Sequence, residues 1–362
     1  MRSTHSSKLE RWLGASQVEH YSEMFKNWYG PPVPLAGVPG SVFVTGGGDF
    51  VGPIRGGGLS NLWDFAVSRQ QRVFRNFLKR QKSTANMGFS SLSDLISEAT
   101  TGGKSQLIHF HKVGTTVTTV GNASSLWAVG TLPPAGSTGG TSGTGRECTN
   151  ATTGALPIVN AAGADTLHLT TITALAGVVS SMMLVDRLWD MTYSHTTTGT
   201  AVDASNRPTR YQSTDASGTF ISGEVTTAVT STNHTMTLTY VDQDGNTAEA
   251  AAGVVIIGRA SGLPPLPTAS WFIPLNSGDT GVRYLTNIGQ SVGIANGVSN
   301  WWLGKPLCLI PSMFAAFSTH IDGINSAFNL TRVLDDACLF FYLPRASNGS
   351  QTLSGTLRLI SG

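Results

Sequence analysis

From Ser105 to the C-terminus, apolar and polar side chains alternate with a period of two, in short runs separated by Gly, Pro, Asn and Asp. That rhythm predicts half-buried strands joined by turns. The stretch Asp279 to Leu309 sets the pattern. Val282, Tyr284 and the alternating residues after them suit one strand, Asn296-Gly297 offers turn chemistry, and Trp301, Trp302, Leu303, Leu307 and Leu309 supply an apolar return strand. Lys305-Pro306 must interrupt that strand, because Pro306 has no N–H to donate, so the point is expected at an edge or a bulge.

Before Ser105 the period is that of a helix. In residues 7–29, Val18, Tyr21, Met24, Phe25 and Trp28 form an apolar stripe that ends at Gly30-Pro31-Pro32. The Gly/Pro-rich run that follows to Gly58 is expected to be an extended arm that orders against a neighbouring subunit or partner. Ser60 caps a second expected helix, with Leu62, Phe65, Phe74, Phe77 and Leu78 on its apolar side and Arg69, Arg72, Arg75, Lys79, Arg80 and Lys82 on the rest. A third, short helix follows Ser91, whose spacing to Asp94 is that of a cap.

Beyond Ser105 the same reading gives a strand from 105, a flexible exposed loop at Pro133 to Gly145, and a strand, a break near Gly177 and a strand over Leu167 to Tyr193. A helix at 180–190 is the alternative for the last of these. Two alternating runs flank Asp244-Gly245-Asn246 as a hairpin, with Asp242 and Asp244 as turn residues. A short helix is expected around Phe314 to Asn325, then strands to the C-terminus. The fold class is therefore mainly β: a β-sandwich or jelly-roll-like domain or domains with an N-terminal helical and extended arm. The expected divisions are 1–104 (helices and arm), 105–180 (a small β region with the flexible loop) and 181–362 (a β-sandwich).

Composition narrows the surface. Charged residues are 12% of the 362, about half the usual ~25%, which suits neutral polar faces and tight assembly. The net charge of +2 divides unevenly: residues 1–112 hold 13 Lys/Arg and 7 Asp/Glu (+6), leaving 10 and 14 (−4) for the remainder. The basic helix could meet an acidic partner, or serve as a solvated helix face. Arg69, Arg72 and Arg75, with Trp12 and Trp28, are the candidate partner-binding residues; nucleic acid and membrane are not expected as partners. No run reaches the length of a membrane span and no secretory leader is evident, so assembly in the cytoplasm is expected.

Three cysteines do not make a disulfide framework; Cys308 and Cys338, inside apolar runs, are expected to be buried thiols. Candidate chemistry is sparse. Gly102-Gly103-Lys104-Ser105 lacks the first glycine of a phosphate loop, Glu98 standing in its place, and Gly46 to Gly48 and Gly56 to Gly58 lack the strand and helix of a dinucleotide site. His109 and His111 share a strand face, but no third metal ligand stands at a familiar spacing. Asp186 and Asp190, or Asp335 and Asp336, read better as ion pairs with Arg187 or Arg332, or as turn residues, than as an acid/base pair. No cofactor and no catalysis are expected.

The ordered segments LHLTTITALAG, MMLVDRLWD, the long hairpin, FIPLNSGDTGVRYL, GKPLCLIP and DDACLFFYL resemble structural proteins in the virions of tailed bacteriophages, over residues 165–362. The resemblance implies a β-rich, non-enzymatic protein present in many copies. On it rests the expectation of a capsid-associated decoration or cement protein, contacting the major capsid protein or neighbouring subunits as a homo-oligomer, a trimer being one form. A neck, tail or receptor/glycan-binding virion protein is the alternative, with Trp301 and Trp302 as its contact candidates.

Overall fold

The computed structural model describes Phe89 and residues 91–362, apart from 101–102, 118–122, 138, 204, 213–215, 230–233, 248, 252, 257–272, 324–329 and 347–348. The helices expected at 7–29 and 60–82, the arm between them, and with them Trp12, Trp28, Arg69, Arg72 and Arg75, lie outside the described residues.

The described chain is mainly β, in three antiparallel sheets. One short helix, α1 (Leu92–Thr100), precedes them. It starts where expected: the Ser91 hydroxyl accepts the Asp94 N–H at 3.1 Å, satisfying one of the donors a helix start leaves bare. Leu95 faces inward against Phe89 and Ile360.

The first sheet runs β14 (Ser318–Asp322), β5 (Leu167–Ala176), β17 (Gly349–Ser361), β1 (Ser105–Val117), β3 (Thr131–Leu132), with β15 (Arg332–Val333) also on β5. The middle sheet runs β2 (Ser124–Ser125), β16 (Leu339–Ala346), β6 (Ser180–Ser194), β13 (Val298–Met313), β8 (Phe220–Thr227), with β4 (Arg146–Glu147) on β6. The third runs β10 (Glu249–Ala250), β9 (His234–Asp242), β12 (Val282–Gln290), β7 (Gly199–Ala201), with β11 (Val254–Ile256) on β9. The break at 177–179 thus carries the chain from the first sheet to the middle one, and β14, β15 and finally β17 return it to the first.

Two cores share the middle sheet. In one, Ile108, Phe110, Ile172, Leu357 and Leu359 of the first sheet meet Leu184, Ile310, Leu339 and Phe341. In the other, Met191, Tyr193, Ile221, Trp301 and Leu303 meet Leu238, Tyr240, Leu285 and Ile288 of the third sheet. Alternate residues of the middle sheet, Met183, Val185, Trp302, Phe340 and Tyr342, form a third cluster with Trp127, Cys148 and Ala155. Since neighbours along a strand point to opposite faces, the middle sheet is covered on both. That explains the continuous apolar run in β6, which sequence periodicity could not separate from a helix.

The stretch 279–309 forms its two strands, with Gly297 at φ +120° between them, but they do not pair with each other: β12 lies in the third sheet and β13 in the middle one. Pro306 sits where both expectations meet. The ladder to β6 slips by a residue between Pro306 and Cys308, and the ladder to β8 ends at Gly304. The hairpin also forms, Glu249 pairing with Tyr240. Its turn is held by the Asp242 carboxylate, which accepts the N–H groups of Asp244 and Asn246 at 2.9 and 2.8 Å.

The helix expected around Phe314 to Asn325 is replaced by an edge strand. Residues 318–322 pair with 171–175 of β5, and Ala316 turns the chain with φ +63°. The apolar spacing of Phe314, Phe317 and Ile321 mimics a helix, but the open edge of β5 supplies backbone partners that decide the matter.

Candidate functional site

The charged residues of β6 make the densest chemistry in the described chain. Leu188 is left unpaired as the β6–β13 ladder slips between Leu303 and Gly304. The bulge brings residues three apart onto one face, so Arg187 Nε reaches Asp190 Oδ2 at 3.1 Å, which a regular strand would forbid. Arg187 Nη2 reaches Glu224 Oε1 of β8 at 3.0 Å, and both side chains are fully buried. The guanidinium also lies over the rings of Trp127, Trp302 and Phe340, at 4.6, 5.1 and 5.5 Å from their centroids. Arg146 completes the cluster with a two-pronged contact to Asp190, at 2.8 and 3.0 Å.

Asp186 turns instead to Arg210, whose Nε and Nη2 lie 3.1 and 3.0 Å from its carboxylate, while the Cys338 N–H donates to it at 2.8 Å. The ion-pair reading of these aspartates therefore holds for Asp190 with Arg187, but the partner of Asp186 is Arg210. Burial raises the Asp186 pKa, and the Arg210 charge opposes that rise. For Arg187 burial works against the charge, yet the Glu224 and Asp190 carboxylates outweigh it and the pKa is raised. A cluster in which every carboxylate meets a guanidinium out of water is a clamp between strands.

The loop 133–145, expected to be flexible, is the lid of this clamp. A Cβ added at Gly136 would overlap the Trp127 ring, one at Gly139 would overlap Asn300 Oδ1, and one at Gly145 would overlap the Trp189 ring. The Gly140 N–H donates to Asp190 Oδ1 at 3.2 Å, and Ser137 Oγ accepts from Arg146 Nη1 at 2.7 Å. Glycine serves here for close approach, not for mobility. Glu224 and Asn300 were not singled out in the sequence; the available signal was a lone carboxylate inside the apolar alternation of FISGEV.

The three thiols are buried and unpaired. Burial pushes Cys308 up to about 12 and, with the contact to Cys338, holds Cys148 well above its ordinary value. Among the described residues, no three His, Cys, Asp or Glu side chains gather as metal ligands. His109 and His111 stand exposed on the outer face of the first sheet. Register places His109, Thr356, Thr173 and His320 in one row across four strands, with His111 bonded to Ser354 Oγ at 2.6 Å in the next. Asp336 is a turn residue, φ +58°, that accepts from Asn160 Nδ2 at 2.8 Å.

One end of that sheet is apolar. Leu175 is 42% exposed, Val113 44%, Val179 and Phe314 45%, and Phe317 70%. They come together because Ala176 bridges Ala315, Leu175 pairs with Ser318, and the Gly177 N–H donates to the Thr352 carbonyl next to Val113. Trp301 and Trp302, the candidates for a receptor contact, are both fully buried. A strand with both faces covered has no outward position to offer them.

No protein-family model matches the chain, and no curated protein matches it. Among solved structures, it aligns with the VP2 subviral particle of infectious bursal disease virus at 13% identity, covering 79% of this chain and 85% of that one, with a TM-score of 0.14. The Gt strain of the same virus gives 14% identity, 80% and 86% coverage, and a TM-score of 0.14. TM-scores of this size do not establish a shared fold. No described helix is long and apolar enough to cross a membrane.

Proposed function

We propose that the chain is a non-enzymatic structural protein of a virion, of the tailed-bacteriophage kind, acting as a capsid-associated decoration protein through contacts among its own copies and with the shell. The observation that carries the reading is the apolar end of the first sheet, where Phe317, Phe314, Val179, Leu175 and Val113 stand partly in water. Isolated exposed apolar residues are ordinary, but a contiguous group is a feature of contact surfaces. Two of the segments that build it, residues 173–183 and 313–319, contain no Asp, Glu, Lys or Arg, and Lys112 beside Val113 is buried, so a neutral apolar surface fits it, such as the same end of a second copy.

Low overall charge and buried ion pairs support the same reading, since the described polar chemistry is spent on holding strands together. Phe317→Ser with Val179→Ser is expected to leave the fold intact by circular dichroism while reducing incorporation into particles at least tenfold. Incorporation at the unaltered level, or only a few copies per particle by quantitative protein analysis, removes the decoration role.

A further inference from the structure

The margin between the middle and third sheets holds a cluster that the proposed function does not use. His195, one residue past β6, and His234, the first residue of β9, are both buried. His234 Nε2 lies 3.0 Å from His195 Nδ1, with the ring centroids 5.0 Å apart. His195 Nδ1 is also 2.9 Å from Gln290 Oε1 at the end of β12, and His195 Nε2 is 2.9 Å from Ser299 Oγ of β13. The cluster therefore spans two strands of each sheet.

The proton positions follow from the partners. Gln290 Nε2 donates to the carbonyls of His195 and Thr197 at 2.6 and 2.7 Å, which fixes its Oε1 as the atom facing His195. An amide oxygen only accepts, so His195 Nδ1 carries the hydrogen. His234 Nε2, facing the same N–H, must then present its lone pair, and Ser299 donates to His195 Nε2. With the His195 ring neutral, both of its nitrogens and the Gln290 amide are satisfied. A second proton on His195 would put a full charge inside this buried cluster, where Gln290 and Ser299 offer it no negative charge.

We propose that His195, held between Gln290, Ser299 and His234, is an acid-operated latch between the middle and third sheets, closed while its ring is neutral and released when it is protonated. The groups facing His195 are Gln290, Ser299, His234 and the Tyr193 ring, which meets it edge-on at 5.3 Å; none is a carboxylate that would hold an imidazolium in place. Burial accordingly lowers the His195 pKa to about 4, with His234 adding to the fall and the Gln290 contact opposing it. The open form, with His195 in water near 6.5, binds the proton more tightly. Acid therefore favours opening, by up to tenfold per pH unit between about 6.5 and about 4. The inference does not depend on the virion role.

The test is hydrogen exchange by mass spectrometry on the full chain from pH 7 to pH 4, corrected for intrinsic exchange rates. Peptides from β9 and β12 are expected to open more often by about tenfold per unit below pH 6.5, ahead of β1 and β17 in the first sheet. His195→Asn, which keeps a donor toward Gln290 but does not titrate, is expected to flatten that slope. An equal slope in the variant, or parallel opening of β1 and β17, overturns the latch. If the variant does not fold, imidazole NMR of the unaltered protein decides: a His195 ring that titrates near 6.5 in the folded state overturns the latch, and one that titrates near 4 supports it.

Discussion

The two cores built on the middle sheet are closed in different ways. Between the first and middle sheets the contact is almost wholly aliphatic, from Ile108 to Leu359, and its titratable intruder is Lys112. Lys112 points inward from β1 between Phe110 and the 129–134 segment, where its Nζ donates to the carbonyls of Val129 and Pro134 at 2.9 and 3.1 Å. Between the middle and third sheets the contact is richer in aromatics, its margin is the histidine latch, and the back of the same strands carries the ion clamp. Aliphatic packing depends little on pH, whereas buried hydrogen-bonded networks hold only in one protonation state.

The largest expected effect is at the clamp. Arg187→Ala leaves Asp190 and Glu224 buried with less compensation and opens a void among three rings, so a loss of about 3–5 kcal/mol is expected in urea denaturation. The loss should be greatest in exchange protection of β8, which carries Glu224, and smallest in β1 and β17. Equal loss in all of these would erase the distinction between the two cores.

Lys112 tests the other core from the alkaline side. Burial lowers its pKa from 10.5 to about 8, so between those values the unfolded chain holds a proton that the folded chain has released. By linkage, this group's contribution to stability rises as pH climbs from 8 to 10.5, by on the order of 3 kcal/mol. Cys308, held up to about 12, opposes it above pH 9. The measurement is therefore the difference between wild type and Lys112→Met: the variant should be more stable by about 1–3 kcal/mol at pH 7, and the advantage should vanish by pH 10.5. A constant difference across that range would mean that Lys112 is not charged and desolvated in the fold.

The smallest effect separates close approach from flexibility in the loop 133–145. Gly139→Ala forces a methyl onto Asn300 Oδ1 and should cost about 1–3 kcal/mol in thermal unfolding. Gly163→Ala, at φ +64° with open space around it, should cost only about 1 kcal/mol, from the backbone alone. Equal costs would return the loop to its reading as a flexible segment.

Much of the local structure was legible. The Ser91 cap, the Asp242 turn, the split of Leu167 to Tyr193 into two strands and the interruption at Pro306 each depend on residues within a few positions of one another, and the sequence alone determined them through period and turn chemistry. Which strand pairs with which was decided only by the tertiary structure. β12 and β13 adjoin in sequence and part into different sheets, β1 waits more than two hundred residues for β17, and the open edge of β5 makes a strand of residues whose spacing suits a helix. The same holds for the clamp and the latch: a bulge at Leu188 aims Arg187, and partners from β8, β9 and β12 complete the networks. Alternation says that a residue is buried, but hydrogen-bond satisfaction depends on what the fold brings opposite it.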